Sequence, residues 1–197
     1  MSTSTRNLVK AHIGDLLHAV RDLQDATERV MEWGERLARV LTRGGRLFTA
    51  GNGGSAAHAQ HFVAELVGRM RDEREPLSAF ALTADSSTMT ALGNDYGYEE
   101  VFARQVRAHA APGDIVLLVS TSGASPNLLA AAEAALVRGA EPWAMTGMLP
   151  NALAPLCKYV IAVPSTDGQV IQEIHQVLVH LICSCLDASL AAIRSTS

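Results

Sequence analysis

From Arg46 onward, short apolar runs alternate with segments of helix length, and this alternation constrains the fold more than any other feature. Strands are expected at Arg46–Ala50, Leu77–Leu82, Asp114–Val119, Pro142–Met145 and Tyr159–Val163. The intervening helices are expected at Ser55–Arg71, Ser86–Leu92, Tyr98–His109 and Ser125–Arg138, with a long last one at Gly168–Ile193. Strands joined by helices of this length pair in parallel through right-handed crossovers. The expectation is an α/β fold: one domain, a parallel five-stranded sheet flanked by helices in three layers, flavodoxin-like.

Two further helices precede the first strand, between about residues 6 and 43, with Val9, Ile13, Leu16, Val20 and Leu23, then Ala26, Val30, Trp33, Leu37 and Val40, at helical spacing. They divide the chain into residues 1–44, with an apolar face available to a partner subunit, and an α/β domain over 45–197. His12 and His18 lie on or beside these stripes and are read as packed or solvated.

With 197 residues the chain can bury a full core, and a formal net charge of -4 offers no nucleic-acid surface. No apolar run approaches the roughly 20 residues that span a bilayer, and Met-Ser-Thr-Ser-Thr-Arg lacks the apolar core of a signal peptide. Three cysteines, Cys157, Cys183 and Cys185, make a poor disulfide framework, so free thiols in a cytoplasmic protein are expected.

Ligands of a parallel α/β sheet bind beyond the C-terminal ends of its strands. Two loops fit. Gly51-Asn52-Gly53-Gly54-Ser55 follows the first strand and opens a helix, where free N–H groups favour an anion. Ser120-Thr121-Ser122-Gly123-Ala124-Ser125-Pro126-Asn127 follows the run Ile115–Val119 and offers four hydroxyls, with Pro126 suited to the first helical position. Hydroxyls and amides without a lysine suit a phosphate monoester held as a handle; phosphoryl transfer would require a lysine and a metal. Gly51, Gly53 and Ala56 also match a dinucleotide fingerprint. Its ribose-binding acid is missing, however: Asp72, Glu73 and Glu75 precede the second strand and Asp85 lies too far beyond it. No nucleotide cofactor is expected.

His61 and Glu65 stand four residues apart on the helix after the glycine turn, where they can share a metal or divide proton transfers. The last helix carries Gln172, Gln176 and His180 down one face, Gln172 and His180 being about 12 Å apart along the axis. Glu173 and His175 point elsewhere and are read as structural or exposed. His180, between Val179 and Leu181, would by itself be an ordinary core histidine; a functional role requires it to meet His61 and Glu65.

Gly51-Asn52-Gly53-Gly54-Ser55-Ala56-Ala57, Ala59-Gln60-His61-Phe62, Ala64-Glu65-Leu66, Gly93-Asn94-Asp95-Tyr96-Gly97, Ser120-Thr121-Ser122-Gly123, Ser125-Pro126-Asn127, and Ile171-Gln172-Glu173 with His175 and His180 together resemble the sugar isomerase (SIS) domain of phosphoheptose isomerases. The likeness runs from about Gly45 to the end of the last helix. It implies conversion of sedoheptulose 7-phosphate into D-glycero-D-manno-heptose 7-phosphate through a cis-enediol(ate), with Glu65 as base and His180 as acid. It implies zinc on His61, Glu65, Gln172 and His180, polarising the carbonyl. Ser55, Ser120, Thr121, Ser122 and Ser125 would take the phosphate; Asn52, Gly53, Gly54, Asn94 and Asp95 would meet the sugar, with Glu65 and Gln172 also on the substrate. A homotetramer with sites shared between subunits is implied too, and gives the leading helices a use.

The sequence departs from the family at three places. His58 stands where an aspartate is common, Val170 where an arginine usually precedes Ile-Gln-Glu, and Met148-Leu149-Pro150 where a glycine pair is usual. They leave the catalytic set intact and bear on which phosphosugar fits. The rival class is a binding protein like the DnaA initiator-associating protein, which keeps this fold but lacks counterparts of Glu65 and His180.

Overall fold

The computed structural model describes residues 3–195. Five strands, β1 Leu47–Gly51, β2 Ala79–Ala81, β3 Ile115–Ser120, β4 Glu141–Thr146 and β5 Tyr159–Ala162, form one sheet in the order β2-β1-β3-β4-β5, every neighbouring pair parallel. Seven α-helices accompany them: α1 Thr3–Asp22, α2 Thr27–Thr42, α3 Gly54–Val67, α4 Ser86–Tyr96, α5 Glu100–His109, α6 Pro126–Val137 and α7 Gly168–Ser195. The expected α/β architecture is the one found, each strand lying within one or two residues of its expected range.

The period-2 geometry of β3 explains the layers. Ile115, Leu117 and Val119 point to one face, with Trp33 and Leu37 of α2, Phe62 and Leu66 of α3, and Ile174, Leu178 and Ile182 of α7. Val116 and Leu118 point to the other, with Val101, Phe102 and Val106 of α5 and Leu128, Ala131 and Ala135 of α6. Each large side chain buried this way is stabilising by about 1.5–3 kcal/mol. Trp33 lies against Trp143 of β4 with ring centroids 4.7 Å apart, so α2 is seated on the sheet.

The sequence gives no apolar run near bilayer length, yet α7 is long and apolar enough to cross one by length and composition alone. In the fold its apolar stripe, Val170, Ile171, Ile174, Leu178, Val179, Ile182, Leu186 and Leu190, is buried in the core. Val170, in place of the family's arginine, is fully buried among these residues. The three cysteines are free thiols; burial pushes Cys157 up to about 12 and Cys183 further still.

The α1 stripe is divided between the core and the surface. Leu16 and Leu23 pack partly on the core and Ala19 is buried, whereas Val9, Ile13 and Val20, with neighbouring Leu8 and Leu17, are 41–70% exposed. His12 anchors the helix instead, its Nε2 lying 2.9 and 3.0 Å from the two carboxylate oxygens of Glu173 on α7. That carboxylate raises the His12 pKa.

Candidate active site

Strand order reverses between β1 and β3, so a crevice opens where their C-terminal ends diverge. β1 ends at Gly51, where an added Cβ would lie 2.6 Å from the Ser55 carbonyl carbon, so only glycine lets the turn fold back beneath the start of α3. β3 ends at Ser120, and its loop enters α6 through Ser125 and Pro126 at the first helical position.

The two loops are clamped together by a pair of amides. Asn52 Nδ2 donates to Asn127 Oδ1 at 3.0 Å and Asn127 Nδ2 donates back to Asn52 Oδ1 at 2.9 Å. Tyr98 adds its hydroxyl to the same Asn52 oxygen at 3.1 Å. Asn127 is 3% exposed, so its amide would be costly to leave unpaired. Within the serine loop, Ser120 Oγ accepts the Gly123 N–H at 3.0 Å and Ser122 Oγ accepts that of Ala124 at 3.2 Å. Each hydroxyl accepts from the loop and so keeps its own proton to donate outward.

α3 presents His61 and Glu65 on one side, and α7 brings His180 to meet them. His61 Nε2 is 3.1 Å from Glu65 Oε1 and 3.1 Å from His180 Nε2. One donor atom from each of the three residues lies within 4.8 Å of the others. Metal–ligand distances of 2.0–2.2 Å place tetrahedral donors about 3.3 Å apart, so the group fits a zinc-sized ion with little movement. The side chain of His61 is 43% exposed and that of Glu65 is 19%, which leaves the cluster open to a ligand. His180, which its apolar neighbours suggest is a core residue, is exposed.

Arg74 sets this meeting of helices. It donates to the carbonyl oxygens of Glu65 and Leu66 at the end of α3, at 2.7 and 2.8 Å, and to Asp187 of α7 at 2.8 Å. Its side chain is only 6% exposed. The sequence suggests no more than a charged turn here. His175, beneath the site, is completely buried and its Nε2 donates to the Thr146 carbonyl; burial lowers its pKa to about 4, so the ring is neutral.

The other expected residues divide. Ser55 is buried at the start of α3, beside the crevice; Gly53, at φ 55, precedes that helix. Thr121, Ser122 and Ser125 line the second loop. Gln172 sits over Gly54, where an added Cβ would overlap its amide. Gln176, one turn along α7, reaches His180 instead, its Nε2 lying 3.1 Å from the His180 Nε2. Asn94 and Asp95 are exposed at the end of α4 and bonded to each other at 2.8 Å; no contact joins them to the Glu65 cluster among the described residues.

Comparison with known proteins agrees with this fold. The SIS domain family model matches residues 10–147. A phosphoheptose isomerase of Streptomyces coelicolor (strain ATCC BAA-471 / A3(2) / M145) is 53% identical over 182 residues, which is 92% of this chain and 79% of that one. The chain belongs to the SIS-domain phosphoheptose isomerase family. By that membership it is a sugar-phosphate isomerase. The solved structure of a phosphoheptose isomerase from Francisella tularensis superimposes with a TM-score of 0.89 at 33% identity, covering 95% of this chain and all of that one. One from Neisseria gonorrhoeae gives 0.87 at 37% identity, covering 93% and 99%.

Proposed function

We propose that the chain isomerises sedoheptulose 7-phosphate to D-glycero-D-manno-heptose 7-phosphate. The observation that carries this reading is the convergence of Glu65 with His61 and His180 beside a hydroxyl-lined loop. Ser120, Thr121, Ser122 and Ser125, with Ser55, hold the phosphate against the N-terminus of α6, whose free N–H groups favour an anion. The glycine turn, Asn52 and Gln172 meet the sugar, and Asn94 and Asp95 belong to the part of the site completed by a neighbouring subunit.

The chemistry follows from the side chains. The Glu65 carboxylate removes a proton from C1 of the ketose while His180 delivers one to the carbonyl oxygen at C2, giving the cis-enediol. Return of a proton to C2 and loss of the O1 proton give the aldose, so no proton is gained or lost overall. His61, Glu65 and His180 would hold zinc, with Gln172 as the fourth ligand that the resemblance implies. Bound there, zinc supplies Lewis-acid polarisation of the substrate carbonyl.

The exposed residues of α1, Leu8, Val9, Ile13 and Leu17, support a homotetramer, because so apolar a face is stable only when covered. Three free thiols suit the reducing cytoplasm. The test is incubation of the purified protein with sedoheptulose 7-phosphate and with other heptulose and hexulose phosphates. Aldose formation from the heptulose is expected. Inactivity on every one of these, with tight binding to a protein partner, would favour the non-catalytic class instead.

A further inference from the structure

Between Gly51 and Gly53 the glycine turn carries a single side chain, the amide of Asn52. A side-chain amide has two acceptor lone pairs on its oxygen and two N–H donors. Both lone pairs of Asn52 Oδ1 are taken, one by Asn127 Nδ2 at 2.9 Å and one by the Tyr98 hydroxyl at 3.1 Å. One of the two Nδ2 hydrogens goes to Asn127 Oδ1 at 3.0 Å. Among the described residues nothing uses the second. The Asn52 amide therefore has one group left to offer, an N–H, on a half-buried residue just past the end of β1.

The two partners hold that amide from different sides of the crevice. Asn127 is the second residue of α6 and is 3% exposed, so water does not compete for its amide. If Asn52 alone turned end for end, oxygen would face oxygen and N–H would face N–H across the pair, which the reciprocal bonds forbid. Tyr98 follows Gly97, whose φ of 85 ends α4. Its side chain is largely exposed, yet its hydroxyl turns back to Asn52. A donor held in one orientation suits a hydroxyl or carbonyl oxygen of a sugar, and the orientation is set before the ligand arrives.

Resting on the isomerase reading above, we propose that Asn127 and Tyr98 are positioning residues, which fix the Asn52 amide so that its unused N–H donates to an oxygen of the bound sugar. The competing account is that Asn127 only braces the serine loop at the start of α6. Steady-state turnover of sedoheptulose 7-phosphate, with inorganic phosphate as competitor, separates the two. Inorganic phosphate uses the loop and makes no sugar contact, so its Ki reports whether the loop is intact. Asn127→Leu keeps the size of the side chain and removes both bonds to Asn52. It is expected to raise KM about tenfold, with kcat within about threefold and the phosphate Ki within about twofold of wild type. Asn52→Ala should do the same, and Asn52→Ala/Asn127→Leu should be no worse than Asn52→Ala alone, because both act through one amide. Tyr98→Phe should raise KM by about two- to threefold, again with the phosphate Ki unchanged. A phosphate Ki that rises as much as KM in Asn127→Leu, or a double variant whose effects add, would overturn the proposal. Should Asn127→Leu fail to fold, Tyr98→Phe, at an exposed position, carries the test with Asn52→Ala, and an unchanged KM in both overturns it. A wild type without isomerase activity overturns this inference and the isomerase reading together; an active wild type with KM unmoved in Asn127→Leu overturns this inference alone.

Discussion

His61 Nε2 and His180 Nε2 face each other at 3.1 Å across two helices, although the residues are 119 positions apart in the chain. Two imidazole nitrogens at that distance require a shared proton or a shared ion between them. With Glu65 on the same point, zinc is the ion the donors suit best. Incubation with a strong chelator is expected to lower isomerase activity, and added Zn²⁺ to restore it. Full activity in protein shown by elemental analysis to be metal-free would count against a metal in the reaction.

Arg74 is expected to matter for stability although it touches no substrate. It fills three acceptors on α3 and α7 while nearly buried. Arg74→Ala removes the partner of Asp187 and one donor each from the Glu65 and Leu66 carbonyls, of which Leu66 keeps the Leu77 N–H, and the expected loss is about 3 kcal/mol, read from the denaturant midpoint. Because the same bonds set α3 against α7, kcat should fall in whatever fraction remains folded.

Stability should also fall with acid in a defined window. His175 is neutral in the folded protein down to about pH 4, while in the unfolded chain it takes up a proton near its ordinary 6.5. Between these values the unfolded state holds the extra proton, so stability that is complete above pH 6.5 is lost progressively as pH falls to about 4. The lowered pKa corresponds to roughly 3 kcal/mol. In His175→Gln the slope of unfolding free energy against pH over this window should be shallower by up to one proton; an unchanged slope would assign it to other groups.

Substitution on α1 tests the assembly. Ile13→Glu with Leu17→Glu places charges on a face that is half exposed in the single chain. Light scattering should show smaller species, with the secondary structure retained. Activity should fall with the assembly, since Asn94 and Asp95 lie away from the Glu65 cluster of their own chain.

The sheet was legible because its signal is local. The run Ile115–Val119 and the hydroxyl loop after it lie contiguous in the sequence, and so do His61 and Glu65 one helical turn apart. What remained hidden was contact between distant segments. Asn127 was visible in the serine loop, but nothing in its surroundings marks it as the partner of Asn52, 75 residues away. Arg74 sits in a run of charges that reads as solvated, yet it is one of the most buried cations in the fold. On α7, helical spacing put Gln172, Gln176 and His180 on one face without showing that His180 meets His61, because that depends on how α3 is docked. The periodicity of α1 showed an apolar stripe but not how it divides, with Ala19 buried against the core and Val9, Ile13 and Val20 facing outward from the single chain.

In the proposed isomerisation Glu65 moves the proton between C1 and C2. The most direct test is turnover of sedoheptulose 7-phosphate in D₂O, followed by NMR, for wild type and Glu65→Gln. The wild type should form the aldose with solvent deuterium at C2. Glu65→Gln keeps the shape of the side chain and loses the base, so its rate should drop by about 10²–10⁴-fold, with no deuterium entering recovered ketose at C1. Undiminished turnover or exchange in Glu65→Gln would rule out Glu65 as the base.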